Sequence, residues 1–381
     1  MTDFFLRDKQ YKIKQIKIIS TPRLVVFQDK VEENINSMRK YLETITGNRR
    51  FDHLCVHVKT NKSSHLTGIL LKQGMSYFKS TLNEVTMLIA SGAKDIFIAY
   101  PLLRKGASFI ARSIKNNPDI DFQVQVGCRQ HTDILRKVAA EYNIQWKVFI
   151  DVDVGMHRTG IDPDKVIELY KEIADQPEFK FMGLHGYDGH IHYQDKNRRA
   201  REAGKAMQKL IGVYKTFSRN QIKIERVVAA GSPTFEQDLK ILYKNISDSI
   251  RVMVSPGTWV YWDTEYDKLL PEKFEMAALV LAQVIEVGEK NRITINCGHK
   301  GWGADRGPVE LFSGEKMKLF SFNEEHTVLE HKRGDIYTIG DYVLIAPRHV
   351  CSTVNLYEYF TLIGKDGEII ALESPVDARN R

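Results

Sequence analysis

The sequence predicts an α/β protein: a parallel (β/α)₈ barrel of the TIM-barrel type, followed by a smaller, mainly β domain. Short apolar runs alternate with longer amphipathic stretches from residue 50 to residue 260, which is typical of parallel strands joined by right-handed helical crossovers. After residue 272 the apolar runs are instead separated by tight turns, which indicates antiparallel hairpins. A doubly wound open sheet is the alternative for the first part, but no GxGxxG follows the first run, and this disfavours it.

Eight apolar runs make up the predicted barrel, the number that this fold requires. In chain order they are residues 52–58, 76–80, 96–100, 122–126, 146–152, 181–187, 226–230 and 251–254. Helix-like stretches such as NEVTMLIASGA and PDKVIELYKEIAD separate them. We expect the barrel domain to comprise residues 21–262 and the β domain residues 263–381, with residues 1–20 as a candidate extra strand of the β domain. The turn sequences GEKN and GKDGE predict two hairpins there.

Composition narrows the class of protein. A chain of 381 residues with 43% hydrophobic and 27% charged residues is long enough for both domains and typical of a globular protein. The net charge is +7, but 55 basic residues are interspersed with 48 acidic ones, so we expect no nucleic-acid partner. Four cysteines without a CxxC pair favour a reducing cytoplasm. No apolar segment suits a signal peptide or a membrane span, so we expect a small-molecule ligand and no membrane partner.

The first barrel run ends in a lysine that alternation directs inward. Along DHLCVHVK, one column of side chains is expected to face the barrel interior: His53, Cys55, His57 and Lys59. Lys59 ends this column at the mouth, where burial favours the neutral amine that a Schiff base requires. Lys62 lies beyond the strand and is expected to cap a loop. A salt bridge at the mouth is the alternative role for Lys59.

Two small-residue turns after the last two barrel runs suggest a phosphate site. Barrels often bind phosphate with the loops after strands seven and eight. The turns GSPTF and PGTW offer backbone N–H groups and hydroxyls at Gly231, Ser232, Gly257 and Thr258. A phosphate ligand together with an interior lysine points to pyridoxal 5′-phosphate (PLP), although either turn alone is no more than a turn.

A histidine and a cysteine in RHVC suggest a metal site in the β domain. His349 and Cys351 are two residues apart, so on a strand both would project from one face. Imidazole and thiolate are good zinc ligands, and a site with only two protein ligands would be open and catalytic rather than structural. A buried cysteine beside a hydrogen-bonded histidine is the alternative.

These segments resemble a known family. The motifs TPRLVVF, HVKTNKS, DVGMHRTG, GYDGHIH, GSPTF, SPGTWVYWD, ADRGP and RHVCSTVNLY occur in order over about residues 20 to 360. With them the chain resembles the fold-type III PLP enzymes of the alanine racemase superfamily, in particular the D-threonine aldolase and D-serine dehydratase branch.

The resemblance implies roles for individual residues. Lys59 would bind PLP covalently, Arg158 would approach its phenolic oxygen, and Tyr187 would lie beside it. The phosphate would be held by Gly231, Ser232, Gly257 and Thr258. A divalent metal would be bound by His349 and Cys351; the cysteine favours the dehydratases and zinc, with manganese or magnesium as alternatives. The family is commonly a homodimer, and we expect the β domain of a partner chain to close the barrel mouth.

The reaction that the resemblance implies is loss of water from a D-β-hydroxy amino acid, giving a keto acid and ammonia, with Lys59 removing the α-proton. The alternatives are aldolase cleavage, with His190 or His192 as the base unless they are structural, and racemisation. A non-catalytic PLP carrier is disfavoured because such carriers resemble the barrel alone. Arg348 departs from the expected pattern: it is a candidate partner for a second substrate carboxylate, or structural.

Overall fold

A computed structural model describes residues 1–314, 317–334 and 336–379 of the chain. Two compact units make up the chain. The barrel unit comprises Arg39–Lys59 and Leu66–Gly257, and the β unit comprises Met1–Met38, Thr60–His65 and Thr258–Arg381.

Nineteen strands and ten α-helices occur within the described ranges. The strands are β1 (Thr2–Leu6), β2 (Lys9–Ile13), β3 (Arg23–Phe27), β4 (Val56–His57), β5 (Tyr77–Ser80), β6 (Asp95–Ile98), β7 (Asp121–Val126), β8 (Trp146–Asp151), β9 (Phe179–Gly186), β10 (Arg226–Ala229), β11 (Arg251–Val254), β12 (Ala278–Gly288), β13 (Arg292–Ile295), β14 (Leu311–Phe312), β15 (Lys318–Phe322), β16 (Thr327–Glu330), β17 (Tyr342–Ala346), β18 (Tyr359–Ile363) and β19 (Ile369–Pro375). The helices are α1 (Gln28–Thr46), α2 (Ser64–Lys72), α3 (Val85–Ala90), α4 (Arg104–Asn116), α5 (Arg129–Tyr142), α6 (Val166–Ala174), α7 (Lys196–Arg219), α8 (Phe235–Asn245), α9 (Thr264–Leu269) and α10 (Val350–Val354).

The barrel is a parallel sheet of strands β4 to β11, each paired with its neighbour in the chain. A parallel bridge between Leu54 and Val254 and a 2.9 Å hydrogen bond from Cys55 N to Val254 O join its first and last strands. Each of the eight predicted runs overlaps one of these strands. The predicted fold class is therefore confirmed.

The helices between the barrel strands bury one face each. In α6 the buried side chains are Val166, Leu169 and Ile173, whose spacing of three and four residues puts them on one face. The helix packs on β8 and β9. Burying three aliphatic side chains of this kind stabilises the fold by roughly 1.5–3 kcal/mol each.

The barrel interior has an apolar layer and, above it, a polar one. The apolar cluster consists of Cys55, Tyr77, Phe97, Phe149, Met182, Val228 and Met253. Cys55 is part of this cluster, so the prediction that its side chain faces the barrel interior is confirmed. Three polar side chains lie two residues further along the same strands than members of this cluster. They are Lys79, Asp151 and Ser255, and all three are buried. The polar layer thus lies toward the C-terminal ends of the strands, where barrels of this type carry their active sites.

The β unit contains a nine-stranded sheet. Its strand order is β15-β16-β13-β12-β3-β18-β19, with β17 also pairing with β12 and with β14. Both predicted turns occur: β12 and β13 form an antiparallel hairpin, as do β18 and β19. The second of these turns uses Gly367 at φ 82°, a conformation that favours glycine.

One strand near the N-terminus, β3, differs from the expected domain boundaries. Strand β3 was expected in a barrel domain of residues 21–262, but it lies between β12 and β18 of the nine-stranded sheet. Its residues Leu24 to Phe27 are all buried, as is typical of a central strand, and such a run carries no signal of which sheet it joins. Residues 1–20 belong to the β unit, as expected, but their strands β1 and β2 form a separate two-stranded sheet. Within the described ranges, no helix has the length and apolar character needed to cross a membrane.

Candidate active site

Lys59 lies just beyond the last residue of β4. Cys55 below it is interior, and His57, partly buried, places its Nδ1 3.0 Å from the carbonyl oxygen of Lys79. The side chain of Lys59 is exposed, which differs from the enclosure we expected. The column continues past the end of the hydrogen-bonded strand at His57, so its last side chain clears the barrel rim.

Lys62 belongs to the loop Thr60–His65 of the β unit. It is only 6% exposed, and its Nζ donates to the carbonyl oxygen of Ala378 at 3.2 Å. In return the backbone N of Ala378 donates to the carbonyl oxygen of Lys62 at 3.1 Å. These two hydrogen bonds hold the loop Thr60–His65 in place, which is the role expected for Lys62 from the sequence.

Lys79 is the lysine that lies inside the barrel, and its position was not predicted from the sequence. It is 3% exposed, and its Nζ lies 2.8 Å from His185 Nε2 and 3.0 Å from Ser255 Oγ. His185 Nδ1 lies 2.7 Å from Asp151 Oδ1. Burial, aided by the positive charge of Lys59, lowers the pKa of Lys79 to about 8. The signal was present: Lys79 follows the interior Tyr77 by two residues, the same phase that singled out Lys59.

Tyr187 lies between two cations of the barrel unit. Its ring centroid is 5.2 Å from Lys79 Nζ and 5.3 Å from the guanidinium carbon of Arg158, within the range of cation–π attraction. Arg158 itself is exposed. Gly189 leaves the room that the ring occupies, because a Cβ there would meet ring atoms at 2.2–2.3 Å. The structure therefore brings together Arg158 and Tyr187, two of the predicted cofactor neighbours.

The predicted phosphate residues of the barrel unit are buried. Ser232 and Gly257 lie at the ends of β10 and β11, as expected. The N–H of Gly231 donates to Asp188 Oδ1 at 2.8 Å, so this group is not spare in the structure. Asp188 also lies beside Asp238, and burial together with that neighbouring carboxylate raises the pKa of Asp238 well above its ordinary value. An acid pair beneath the Gly231 turn had no sequence signal.

His190 and His192 follow β9 on the same loop. His190 is exposed; burial lowers its pKa, with Asp188 acting in the opposite direction. His192 is partly buried.

His349 and Cys351 meet in the β unit, but not on a strand as predicted. His349 is the N-cap of the short helix α10, and Cys351 lies in its first turn. The backbone is extended at His349 and helical at Cys351, so the two residues do not share one strand face. Burial alone would lower the pKa of His349, but hydrogen bonds to Cys351 and Asp305 outweigh it and raise the pKa to about 9. Cys351 Sγ also lies 3.2 Å from Thr60 Oγ1 and 3.9 Å from Thr258 Oγ1.

Asp305 orients the histidine of this pair. Its Oδ2 lies 2.6 Å from His349 Nδ1, and its Oδ1 accepts a hydrogen bond from Ser352 Oγ. A carboxylate on one imidazole nitrogen is the usual support of a metal-binding histidine. No cluster of three or more His, Cys, Asp or Glu side chains suited to a metal occurs in residues 1–314, 317–334 and 336–379.

Arg348 is engaged by two carboxylates. Its Nε donates to Glu265 Oε2 at 3.0 Å and its Nη1 to Glu310 Oε1 at 3.5 Å. Of the two roles left open for Arg348, the structural one agrees with these contacts.

The fold is a closed parallel barrel with a buried lysine, Lys79, followed by a β unit that carries the His349–Cys351 pair. This combination defines the class of two-domain barrel enzymes that the motifs indicated. The chain belongs to the family described as "Alanine racemase, N-terminal domain", whose model matches residues 26–265. Residues 277–363 match a second model, "Putative serine dehydratase domain". The predicted family resemblance is confirmed.

Individual relatives extend this result over nearly the whole chain. A D-threonine aldolase from Arthrobacter sp. is 23% identical over 92% of this chain and 90% of its own length. A D-serine dehydratase from Dictyostelium discoideum is 22% identical over 93% of this chain and 96% of its own. The crystal structure of D-threonine aldolase from Filomicrobium marinum has a TM-score of 0.85 at 22% identity, covering 94% of this chain and 95% of that one. These relatives agree with the predicted lyase class, and the structural likeness shows the fold.

Proposed function

We propose that the chain is a PLP- and metal-dependent lyase that eliminates water from a D-β-hydroxy amino acid, giving a keto acid and ammonia. The observation that carries the proposal is the pair of His349 and Cys351, oriented by Asp305. A site with two protein ligands leaves positions open, and a substrate hydroxyl is a ligand that could fill one of them.

The chain has residues suited to hold PLP. Lys59 would form the covalent bond, Arg158 would face the phenolic oxygen and Tyr187 would lie beside the ring. The phosphate would be held by Gly231, Ser232, Gly257 and Thr258. The fit rests on the exposed amine of Lys59, the contact between Arg158 and Tyr187, and the buried small-residue turns after β10 and β11. When bound, PLP supplies an electron sink for the carbanion at Cα.

Two of the chain's own residues would then act beside PLP. The amine of Lys59 removes the α-proton and acts as the general base. Tyr187, held by Arg158 and Lys79, fixes one side of the space that PLP would occupy.

A thiolate and an imidazole favour zinc over manganese or magnesium, which prefer oxygen ligands. Zinc bound by His349 and Cys351 would act as a Lewis acid at the substrate hydroxyl. The resemblance associates cysteine at this position with the dehydratases, and a relative named D-serine dehydratase covers nearly the whole chain.

Aldolase cleavage is the second candidate, favoured by the relatives named D-threonine aldolase and 3-hydroxy-D-aspartate aldolase. His190 suits the base that this reaction needs, since it is exposed and its lowered pKa keeps the imidazole neutral at pH 7. His192 is the alternative base. Racemisation is less supported because it uses no metal pair, and a carrier role is less supported because the chain has a serine dehydratase domain.

The deciding experiment separates these reactions by product. The protein is incubated with D-serine, D-threonine or D-threo-3-hydroxyaspartate, before and after a chelator, and keto acid, glycine with aldehyde, and change of chirality are measured separately. Keto acid that is lost with chelator and restored by zinc is the expected result. Glycine with aldehyde would establish the aldolase instead, and chelator-insensitive inversion would overturn the metal-dependent proposal.

Two single cysteine variants test the proposed metal site. Cys351→Ala should abolish elimination while PLP still binds, whereas Cys128→Ala, at the N-cap of α5 in the barrel unit, should leave elimination unchanged. Loss of PLP from Cys351→Ala would identify Cys351 as a packing residue.

The remaining proposals concern the assembly. We propose a cytoplasmic homodimer that binds neither nucleic acid nor membrane. Sedimentation at working concentration should report twice the mass of one chain, and a fully active monomer would contradict it.

A further inference from the structure

Two buried carboxyl groups lie beneath the turn that is proposed to hold the phosphate. Asp188 follows β9 and is 1% exposed, and Asp238 lies in the first turn of α8 and is 0% exposed. We propose that Asp238 is a positioning residue whose carboxyl group is protonated, donates a hydrogen bond to Asp188, and through Asp188 fixes the Gly231 turn, residues 230–234. This inference rests on the proposed function, because it concerns the proposed phosphate site.

The hydrogen bonds of this pair are incomplete if both carboxyl groups are ionised. Among the described residues, neither oxygen of Asp238 has a hydrogen-bond partner, and the same holds for Asp188 Oδ2 and Thr234 Oγ1. Ionised carboxylates only accept hydrogen bonds, so two of them cannot bond to each other. Unpaired buried polar atoms are destabilising, and a second buried charge without a cation is more so.

One proton on Asp238 satisfies all four atoms. The protonated oxygen donates to Asp188 Oδ2, and the hydroxyl of Thr234 donates to the other oxygen of Asp238. Thr234 is the N-cap of α8, but its side chain makes no capping hydrogen bond, so the hydroxyl can take this role. Burial and then Asp188 raise the pKa of Asp238 well above its ordinary value, against the smaller opposing effect of Thr234. His190, which also acts on Asp188, is exposed and neutral at pH 7 through its lowered pKa, so it supplies no counter-charge.

Asp188 links the pair to the turn. Its Oδ1 accepts a 2.8 Å hydrogen bond from the buried N–H of Gly231. The residue before it, Ala230, has φ 72°, a conformation that is unfavourable for a residue with a side chain and persists only where the surroundings hold it. The bond from Gly231 is one such constraint, and the proton of Asp238 fixes the carboxylate that accepts it.

The fixed turn matters for the phosphate in two ways. Donor groups that are held in place before binding, such as the buried Ser232, lose less conformational freedom when the ligand arrives. A pair that shares one proton also carries one negative charge beneath the turn, whereas two would repel a phosphate dianion more strongly. Asp238 thus affects phosphate binding without contacting the ligand.

The test compares ligands with and without a phosphate. Pyridoxine 5′-phosphate and pyridoxine lack the aldehyde, so their binding does not require a bond to Lys59, and titration calorimetry at pH 7 gives the affinity for each. Asp238→Leu cannot donate and should lower the affinity for pyridoxine 5′-phosphate about tenfold, the loss that corresponds to roughly one hydrogen bond to a charged group. The affinity for pyridoxine should not change. Asp238→Asn supplies an N–H donor and should restore phosphate binding, and Asp248→Leu, which replaces an exposed aspartate after α8, is the control.

Infrared spectroscopy detects the proton itself. A protonated carboxyl group has a C=O stretch that is separate from the carboxylate bands, so the difference spectrum of wild type and Asp238→Asn at pH 7 should contain this band. Absence of the band would overturn the inference.

The affinities decide the positioning role. If Asp238→Leu binds pyridoxine 5′-phosphate as well as the wild type does, or if Asp238→Asn fails to restore binding, the inference is wrong and the proposed function is unaffected. A wild type that binds pyridoxine 5′-phosphate no better than pyridoxine would contradict the proposed phosphate site, and this inference with it. Circular dichroism checks folding, and Asp238→Ala replaces the leucine variant if that one does not fold.

Discussion

Gly189→Ala should displace Tyr187 without altering any charge. A Cβ at position 189 would lie 2.2–2.3 Å from three atoms of the Tyr187 ring, far inside the contact distance of about 3.5 Å between carbon atoms. The backbone of Gly189 is not in the left-handed region, so the conflict is purely steric. The ring must therefore move by about 1 Å or more.

The displacement of the Tyr187 ring has two energetic costs. Overpacking of this kind costs about 1–3 kcal/mol of unfolding free energy. The ring also leaves the cations Lys79 and Arg158, and each exposed or partly buried contact of this type is worth about 0.5–1 kcal/mol. Since Tyr187 is proposed to flank PLP, we expect PLP affinity to fall about tenfold, which corresponds to roughly 1.4 kcal/mol.

Two measurements check this prediction. Urea unfolding of the apoprotein gives the stability change, and titration with PLP, followed by the visible absorption of the bound cofactor, gives the affinity. The control is Gly212→Ala in α7, where a Cβ meets no atom within 4 Å; it should bind PLP normally and gain up to about 1 kcal/mol of stability. A Gly189→Ala protein that matched the wild type in both assays would refute the placement of Tyr187 described above.

Three further predictions follow from single residues. Lys59→Met should lose all borohydride-trapped PLP whereas Lys62→Met retains it, as read by mass spectrometry; label on Lys62 would contradict the strand phase. Burial raises the pKa of Asp263 to about 6, so its protonated form is favoured by folding. The unfolding free energy should therefore fall by up to about 3 kcal/mol as pH rises from 4 to 6, and Asp263→Asn, followed by urea unfolding across this range, should remove that slope; an unchanged slope would assign the effect to other groups. Asp305→Ala should weaken zinc binding about 10- to 100-fold by releasing His349, measured by competition with a chromophoric chelator, and unchanged affinity would remove Asp305 from the site.

Periodicity in the sequence was sufficient to predict the barrel and the direction of its side chains. Successive residues of a strand point to opposite faces, so Cys55 could be assigned to the interior, where it packs with Tyr77 and Phe97. The same rule directs Lys79 inward, because it follows the interior Tyr77 by two residues. The family motifs carried the rest of the candidate site, including His349 and Cys351.

Sheet membership could not be predicted in the same way. Strand β3 precedes the barrel in the chain, yet it pairs with β12 and β18, because a uniformly apolar run fits the centre of any sheet. His349 and Cys351 were predicted to project from one face of a strand. Instead the chain passes from extended backbone at His349 into the first turn of α10 at Cys351. Two residues of spacing are compatible with either backbone.

The sequence by itself determined the fold class, the phase of the first barrel strand and the family, since these depend on patterns within short segments and on motifs that occur in order. Only the tertiary structure decided that Lys79 meets His185, 106 residues away, that Asp188 takes the N–H of Gly231, 43 residues away, and that Asp305 orients His349, 44 residues away. The physical reason is that such contacts arise from the closure of the barrel and the pairing of distant strands, whereas a local pattern specifies where a side chain points but not what it meets.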